Sequence, residues 1–219
     1  MPSLSEFELI KTYFERLGPR PDDQCVSLGI GDDCAVIQVP SGMSLCLSMD
    51  TMVEGVHFPV SAPPEAIAYR ALAAAISDLA AMGAKPSHFT LSLTLPCADS
   101  LWLQSFSEGL QVLVDKFDIP LIGGDTTKGP LAVAIQVHGL LSGDDGMKRS
   151  DAKAGDILAV TGTLGDAGAA LKLLEKDDLS LYESFLLERY YRPSPRVAQG
   201  LELASLANAC IDISDGLLA

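Results

Sequence analysis

Five short segments of this chain set aspartate beside small residues. They are Gly29-Ile30-Gly31-Asp32-Asp33, Ser48-Met49-Asp50, Ser77-Asp78, Gly123-Gly124-Asp125-Thr126-Thr127 and Asp212-Ile213-Ser214-Asp215-Gly216. In each, an apolar stretch runs into a turn of small residues holding the carboxylate. Short carboxylates on such turns can meet on a hard divalent cation and leave positions open for phosphate oxygens. Glycine lets the backbone approach a phosphate or ion closely. The set points to a polyvalent metal–phosphate site; five unrelated helix caps and turns are the alternative that residue types alone leave open.

Other chemistries find no support. There is no GxxxxGK[ST] loop, and Gly29-x-Gly31 is followed by Cys34 where a dinucleotide fingerprint needs glycine. No GxSxG nucleophile elbow and no protein-kinase signature occurs. The cysteines lack basic, helix-terminal surroundings, so no thiolate nucleophile is expected, and the histidines lack zinc-site spacing. His57 stands out, following the Asp50 strand in the Gly-containing loop Glu54-Gly55-Val56-His57-Phe58. Arg149, in Met147-Lys148-Arg149-Ser150, suits a phosphate contact or a surface ion pair equally. Gly162-Thr163-Leu164-Gly165 reads as a strand-to-helix turn, with a phosphate cradle as the rival.

The whole-chain balance agrees. The chain has 219 residues, with 15 basic against 29 acidic side chains and a net charge of −14. That argues against nucleic acid or an anionic membrane as partner. It is compatible with anionic nucleotides bridged by magnesium. Five scattered cysteines (Cys25, Cys34, Cys46, Cys97, Cys210) without a CxxC pair suggest reduced thiols in the cytoplasm. No signal peptide and no membrane span is visible.

The elements that must carry these residues can be placed from periodicity. Ser5 and Glu8 form a capping box for a short helix with Phe7, Ile10 and Phe14 on one face. Residues 34–39 and 44–48 read as two strands joined by a turn at Pro40-Ser41-Gly42. An Ala-rich helix is expected over 65–82, stopping at Gly83. Residues 89–95 and 131–140 read as strands, with a helix from Asp99-Ser100 to about Phe117 between them. Beyond Asp144-Asp145-Gly146, a turn, come a short strand at 157–161 and helices near 166–176, 180–191 and 195–206. Ser180 with Glu183 is a second capping box, and Ser194-Pro195 a helix start. The composition shift near 143–156 places a boundary between 1–142 and 143–219.

The segments above resemble thiamine-monophosphate kinase. The resemblance rests on GIGDD at 29–33, the run Ser48-x-Asp50-Thr51-x-Val53-Glu54-Gly55-Val56-His57-Phe58, Ser77–Ala84, Gly123–Thr127 and Ile211–Gly216, all in family order. Each piece also echoes aminoimidazole ribonucleotide synthetase and selenophosphate synthetase. The resemblance implies an α/β (α+β) enzyme. Its N-terminal ATP/Mg-binding domain, 1–142, pairs sheets in a homodimer; 143–219 is a linker and the start of a second α/β domain. The implied reaction is direct in-line transfer of the ATP γ-phosphate to thiamine monophosphate, without a covalent nucleophile.

By position, Asp33, Ser48, Met49, Asp50, Asp78, Asp125, Asp212 and Asp215 would hold several magnesium ions. Gly124, Asp125, Arg149 and Ser214 would contact ATP, with Phe106 on the adenine side, and His57 would contact the thiamine substrate. Met49 stands where the family usually has Thr. That change is harmless if the residue uses its carbonyl, and costs a ligand if it uses a hydroxyl. The chain's end, at the start of an element, suggests a C-terminally truncated member, with the family's downstream Gly-Gly-Glu-Asp segment and late aromatic contact lying beyond residue 219. A related ATP-dependent enzyme and a non-catalytic acidic cation-binding module are the competing readings.

Overall fold

The computed structural model describes residues 5–143, 146–214 and 216–217. A short helix α1 (Glu6–Leu9) opens it, capped reciprocally by Ser5 and Glu8. It runs on through a π-helical turn, Ile10–Phe14, and a 3-10 turn, Glu15–Leu17. The wider π turn shifts part of the apolar face: Phe14 stays on it as expected, while Phe7 falls off it. Leu9, Tyr13, Phe14 and Leu17 are buried and Phe7 is exposed.

Strands β1 (Val26–Leu28) and β2 (Val36–Ile37) form a small antiparallel pair. The main sheet follows: β3 (Met43–Val53), β4 (Lys85–Leu95), β5 (Leu121–Lys128) and β6 (Ala132–Ser142), in the order β3-β6-β4-β5. Only β4 and β5 are parallel. Helix α2 (Pro64–Ala81) links β3 to β4, and α3 (Ser100–Phe117) links β4 to β5. The hairpin expected over 34–48 does not form. β3 extends to Val53 because its alternating pattern finds eleven residues of β6 to pair with, while β2 turns back to β1.

The core lies between this sheet and the two helices. Phe89, Leu91, Leu93 and Leu95 alternate along β4, as do Val133, Ile135 and Val137 along β6, against Leu72, Ile76 and Leu79 of α2 and Leu103, Phe106 and Leu110 of α3. Asp99 caps α3 by accepting the Trp102 N–H at 2.8 Å. The two helices approach so closely that a Cβ on Gly109 would lie 2.2 Å from the Glu65 carbonyl oxygen.

After the 3-10 turn Arg149–Asp151 come α4 (Asp166–Ala170), α5 (Leu181–Tyr191) and α6 (Val197–Leu203). The Ser180–Glu183 capping box is present. Helix α4 is shorter than expected, passing into turns after Ala170, and α6 begins two residues beyond Pro195. No strand forms at 157–161, where Ile157 and Leu158 are 94% exposed, because β preference needs a neighbouring strand to be realised. Helices α5 and α6 dock on α2; a Cβ on Gly200 would meet the Ala80 carbonyl oxygen at 2.1 Å. The small residues of α2 thus let it be approached from several sides.

Candidate functional site

The aspartate segments do not share one design. Asp32 and Asp33 lie in an irregular loop after β1. Asp50 is within β3, Asp78 within the last turns of α2, and Asp125 within β5. Asp212 follows α6 in irregular backbone, half-buried, and Ser214 is exposed there. Asp215 lies outside the described residues.

Strand periodicity sorts the residues of β3. Ser48 and Asp50 share the face turned to α2, and Ser48 Oγ donates to Asp78 Oδ2 at 2.5 Å. Leu47 and Met49 are on the opposite face and exposed. A hydroxyl at position 49 would therefore not stand beside Ser48 and Asp50, and methionine there removes no oxygen from the carboxylate side.

Ser48, Asp78 and Arg149 line a cavity of about 240 Å³ together with Cys46, Met82 and Cys210. Burial, then the Asp78 charge, pushes the Cys46 thiol above its ordinary value. Burial does the same to Cys210, with Asp212 adding to it and a contact with the Ile211 backbone opposing. Both sulfurs are thus held as thiols, leaving oxygen as the anionic donor of this cavity.

A second, larger cavity of about 420 Å³ lies between the 29–35 loop, β4 and β5, and contains Asp32, Asp33, Gly123, Gly124 and Asp125. Gly124 has a packing reason beside its candidate role: at φ +153°, a Cβ would lie 1.8 Å from the Leu91 carbonyl oxygen. Asp33 N–H is turned toward Asp32 Oδ1 at 2.8 Å. Phe106 is in neither cavity. It is fully buried and stacked on Trp102, so it has no surface to offer a nucleotide.

Among the described residues, no three His, Cys, Asp or Glu side chains converge as a preformed metal cage. The donors are hydroxyl and carboxylate oxygens, gathered in small groups. That suits Mg²⁺, which keeps several waters and takes one or two carboxylates plus substrate phosphates.

His57 sits in a tight loop where Gly55 N–H donates to the Phe58 carbonyl at 2.8 Å. Val53 N–H donates to its Nδ1 at 3.0 Å, so the neutral ring carries its proton on Nε2. Its main-chain carbonyl accepts from Arg70 Nη1 at 2.6 Å and from the Tyr190 hydroxyl at 2.9 Å. Sequence reasoning missed Arg70 and Tyr190. A signal for the first existed: Arg70 is the sole basic residue between Arg20 and Lys85. None existed for Tyr190.

Residues 31–141 match the family model described as AIR synthase related protein, N-terminal domain. The chain is 47% identical over 218 residues to thiamine-monophosphate kinase of Escherichia coli (strain K12), covering 98% of this chain and 66% of that protein. It is 42% identical to the enzyme of that name from Buchnera aphidicola subsp. Schizaphis graminum, covering 98% and 67%. The fold is similar to the crystal structure of thiamine-monophosphate kinase from Stenotrophomonas maltophilia K279a, with a TM-score of 0.83 and 44% identity over 91% of this chain and 65% of that one. It is also similar to AaThiL complexed with AMPPCP and TMP, with a TM-score of 0.75 and 32% identity over 81% and 58%. The chain spans about two thirds of the length of these curated relatives, at 66% and 67%.

Proposed function

We propose, for a chain that belongs to the thiamine-monophosphate kinase family, that it carries the cation- and nucleotide-binding part of an enzyme moving the ATP γ-phosphate onto thiamine monophosphate. The observation that carries this reading is the oxygen cluster of β3 and α2. Ser48 and Asp78 are hydrogen-bonded, Asp50 is on the same strand face, and Arg149 lines the same cavity as the pair. A relative bound to an ATP analogue and TMP supports the two ligands together.

The chemistry follows from charge. Joining a phosphoryl group to a monophosphate brings two anions together, so the barrier yields to cations and positioning more than to a nucleophile. Magnesium, when bound, would supply the neutralising charge. Asp33, Ser48, Asp50, Asp78, Asp125, Asp212 and Asp215 are the residues proposed to hold several such ions. Residue 49 would contribute through its main chain, since its side chain is on the other face.

Gly124, Asp125, Arg149 and Ser214 are proposed to meet ATP. His57 would offer its Nε2–H to the thiamine substrate. Transfer is direct and in line, with no phosphoenzyme.

We further propose that 1–142 is the ATP/Mg-binding and dimerisation domain and that 143–219 begins a second one. Two copies would pair through the sheet face bearing Leu47 and Met49, exposed apolar residues on an edge strand. A cytoplasmic location is part of the same proposal, in keeping with five scattered cysteines that form no CxxC pair; no helix among the described residues is long and apolar enough to cross a membrane.

The deciding experiment incubates the whole protein with ATP, magnesium and thiamine monophosphate and identifies the products. Thiamine diphosphate with stoichiometric ADP supports the proposal. Titration with a non-hydrolysable ATP analogue, with and without magnesium, separates it from a module that binds cations alone. Magnesium binding with no nucleotide binding would overturn it.

A further inference from the structure

We infer that Arg70 and Tyr190 are positioning residues that fix His57 for its substrate, an inference resting on the reading that His57 meets thiamine monophosphate. The two side chains come from distant parts of the chain, α2 and α5, and converge on one carbonyl oxygen. Arg70 donates to it at 2.6 Å and Tyr190 at 2.9 Å. The Arg70 guanidinium also lies over the Tyr190 ring, 4.0 Å from its centre, so each donor holds the other in place. Tyr190 is itself anchored, 4% exposed, in the small apolar cluster of Ala170 and Leu186.

The consequence for residue 57 is unusual for an exposed loop. Its N–H donates to the Val53 carbonyl at 2.9 Å, and its Nδ1 accepts from the Val53 N–H. Its carbonyl has both lone pairs engaged by Arg70 and Tyr190. Main chain and ring are therefore tied at three points, and the group left for a ligand is Nε2–H. A donor held this way costs little ordering entropy on binding. A bare surface salt bridge would be the ordinary use of an arginine on a helix. Here the cation goes to a peptide oxygen and to the Tyr190 ring, two contacts that fix the orientation of the loop.

The test compares Tyr190→Phe, Arg70→Gln and His57→Ala in the whole protein. It reads KM for thiamine monophosphate, KM for ATP, kcat and thermal melting. Tyr190→Phe keeps the ring and its packing while deleting one hydrogen bond. It should raise KM for thiamine monophosphate about three- to tenfold, the range of one such bond. KM for ATP should stay within about twofold.

Combined with His57→Ala, Tyr190→Phe should add nothing further, because the clamp acts through that ring. Equal changes in both KM values, or full additivity with His57→Ala, would overturn the inference. If His57→Ala leaves KM for thiamine monophosphate unchanged, the assignment of His57 itself falls, and the inference with it. If His57→Ala raises that KM but both clamp variants leave it alone, only the inference falls.

Discussion

Replacing His88 should flatten the acid limb of the stability curve. His88 on β4 and His138 on β6 are cross-strand partners with ring centres 4.6 Å apart, and both are buried. Burial first, then the neighbouring His138, lowers the His88 pKa from 6.5 to about 4, with Asp23 opposing. Burial lowers His138 as well. The folded state therefore binds its proton less readily than the unfolded chain.

The stabilisation is fully present above the unfolded pKa of 6.5 and is lost as pH falls toward 4. Linkage gives a loss of about 2 kcal/mol between pH 7 and 5, growing to about 3 kcal/mol at pH 4. The assay is urea unfolding at several pH values in this range for the parent and His88→Phe. The variant's absolute stability is not the readout; the difference in pH slope is, since carboxylates common to both cancel. The parent should lose about 2 kcal/mol more than the variant between pH 7 and 5. Parallel curves would show that the pair is not neutral and buried, and would refute the reasoning.

Gly109→Ala should destabilise by more than about 2 kcal/mol in chemical denaturation, because the new methyl meets the α2 backbone and neither helix can yield cheaply; a loss below about 0.5 kcal/mol would contradict that approach. Asp78→Asn, which keeps an oxygen to accept from Ser48, should weaken magnesium-dependent binding of an ATP analogue at least about tenfold by titration calorimetry. Met49→Lys should turn the proposed dimer to monomer in sedimentation without changing magnesium-dependent nucleotide binding, since the proposed pairing face with Met49 and the face with the Ser48–Asp78 bond are opposite sides of β3. Ser180→Ala should cost about 1 kcal/mol through loss of the α5 capping box, measured by urea midpoint.

What was legible in the sequence was whatever a local period or cap decides. The span of α2 is legible in its alanine-rich run and its stop at Gly83. Those of α3 and α5 came from Asp99 and from the Ser180–Glu183 box, and each matched within a residue or two. The strand β4 was visible in the Phe89–Leu95 alternation, four residues short of its start at Lys85. What needed partners was not legible. Residues 34–48 carry a credible turn, but strand pairing is settled by β6, far away in sequence. Asp50 and Asp125 read as turn residues because serine and glycine flank them, whereas strand pairing keeps both inside β3 and β5; Asp78, grouped with the same turn segments, lies inside the helix that the sequence also predicts. Motif order located the candidates; it could not show that Phe106 faces the core, or that a tyrosine at 190 reaches the carbonyl at 57.

The pairing of β3 has a consequence for how the protein comes into being. β4 meets β5 across residue numbers that differ by 32 or 33, whereas β3 meets β6 across differences of 79 to 99. Closing so long a loop is entropically the most expensive step of the sheet. During synthesis β3 is made first and must wait for β6, roughly 4–16 s at ordinary elongation rates. Through that interval its alternating Leu45, Leu47 and Met49 have no strand to lie against. Ser48 and Asp50, in turn, have no fixed bearing toward Asp78. The proposed cation-binding face is thus completed only when the last strand docks, so a nascent chain stalled before residue 132 would hold every element from α1 to β5 and still lack that face in its final form.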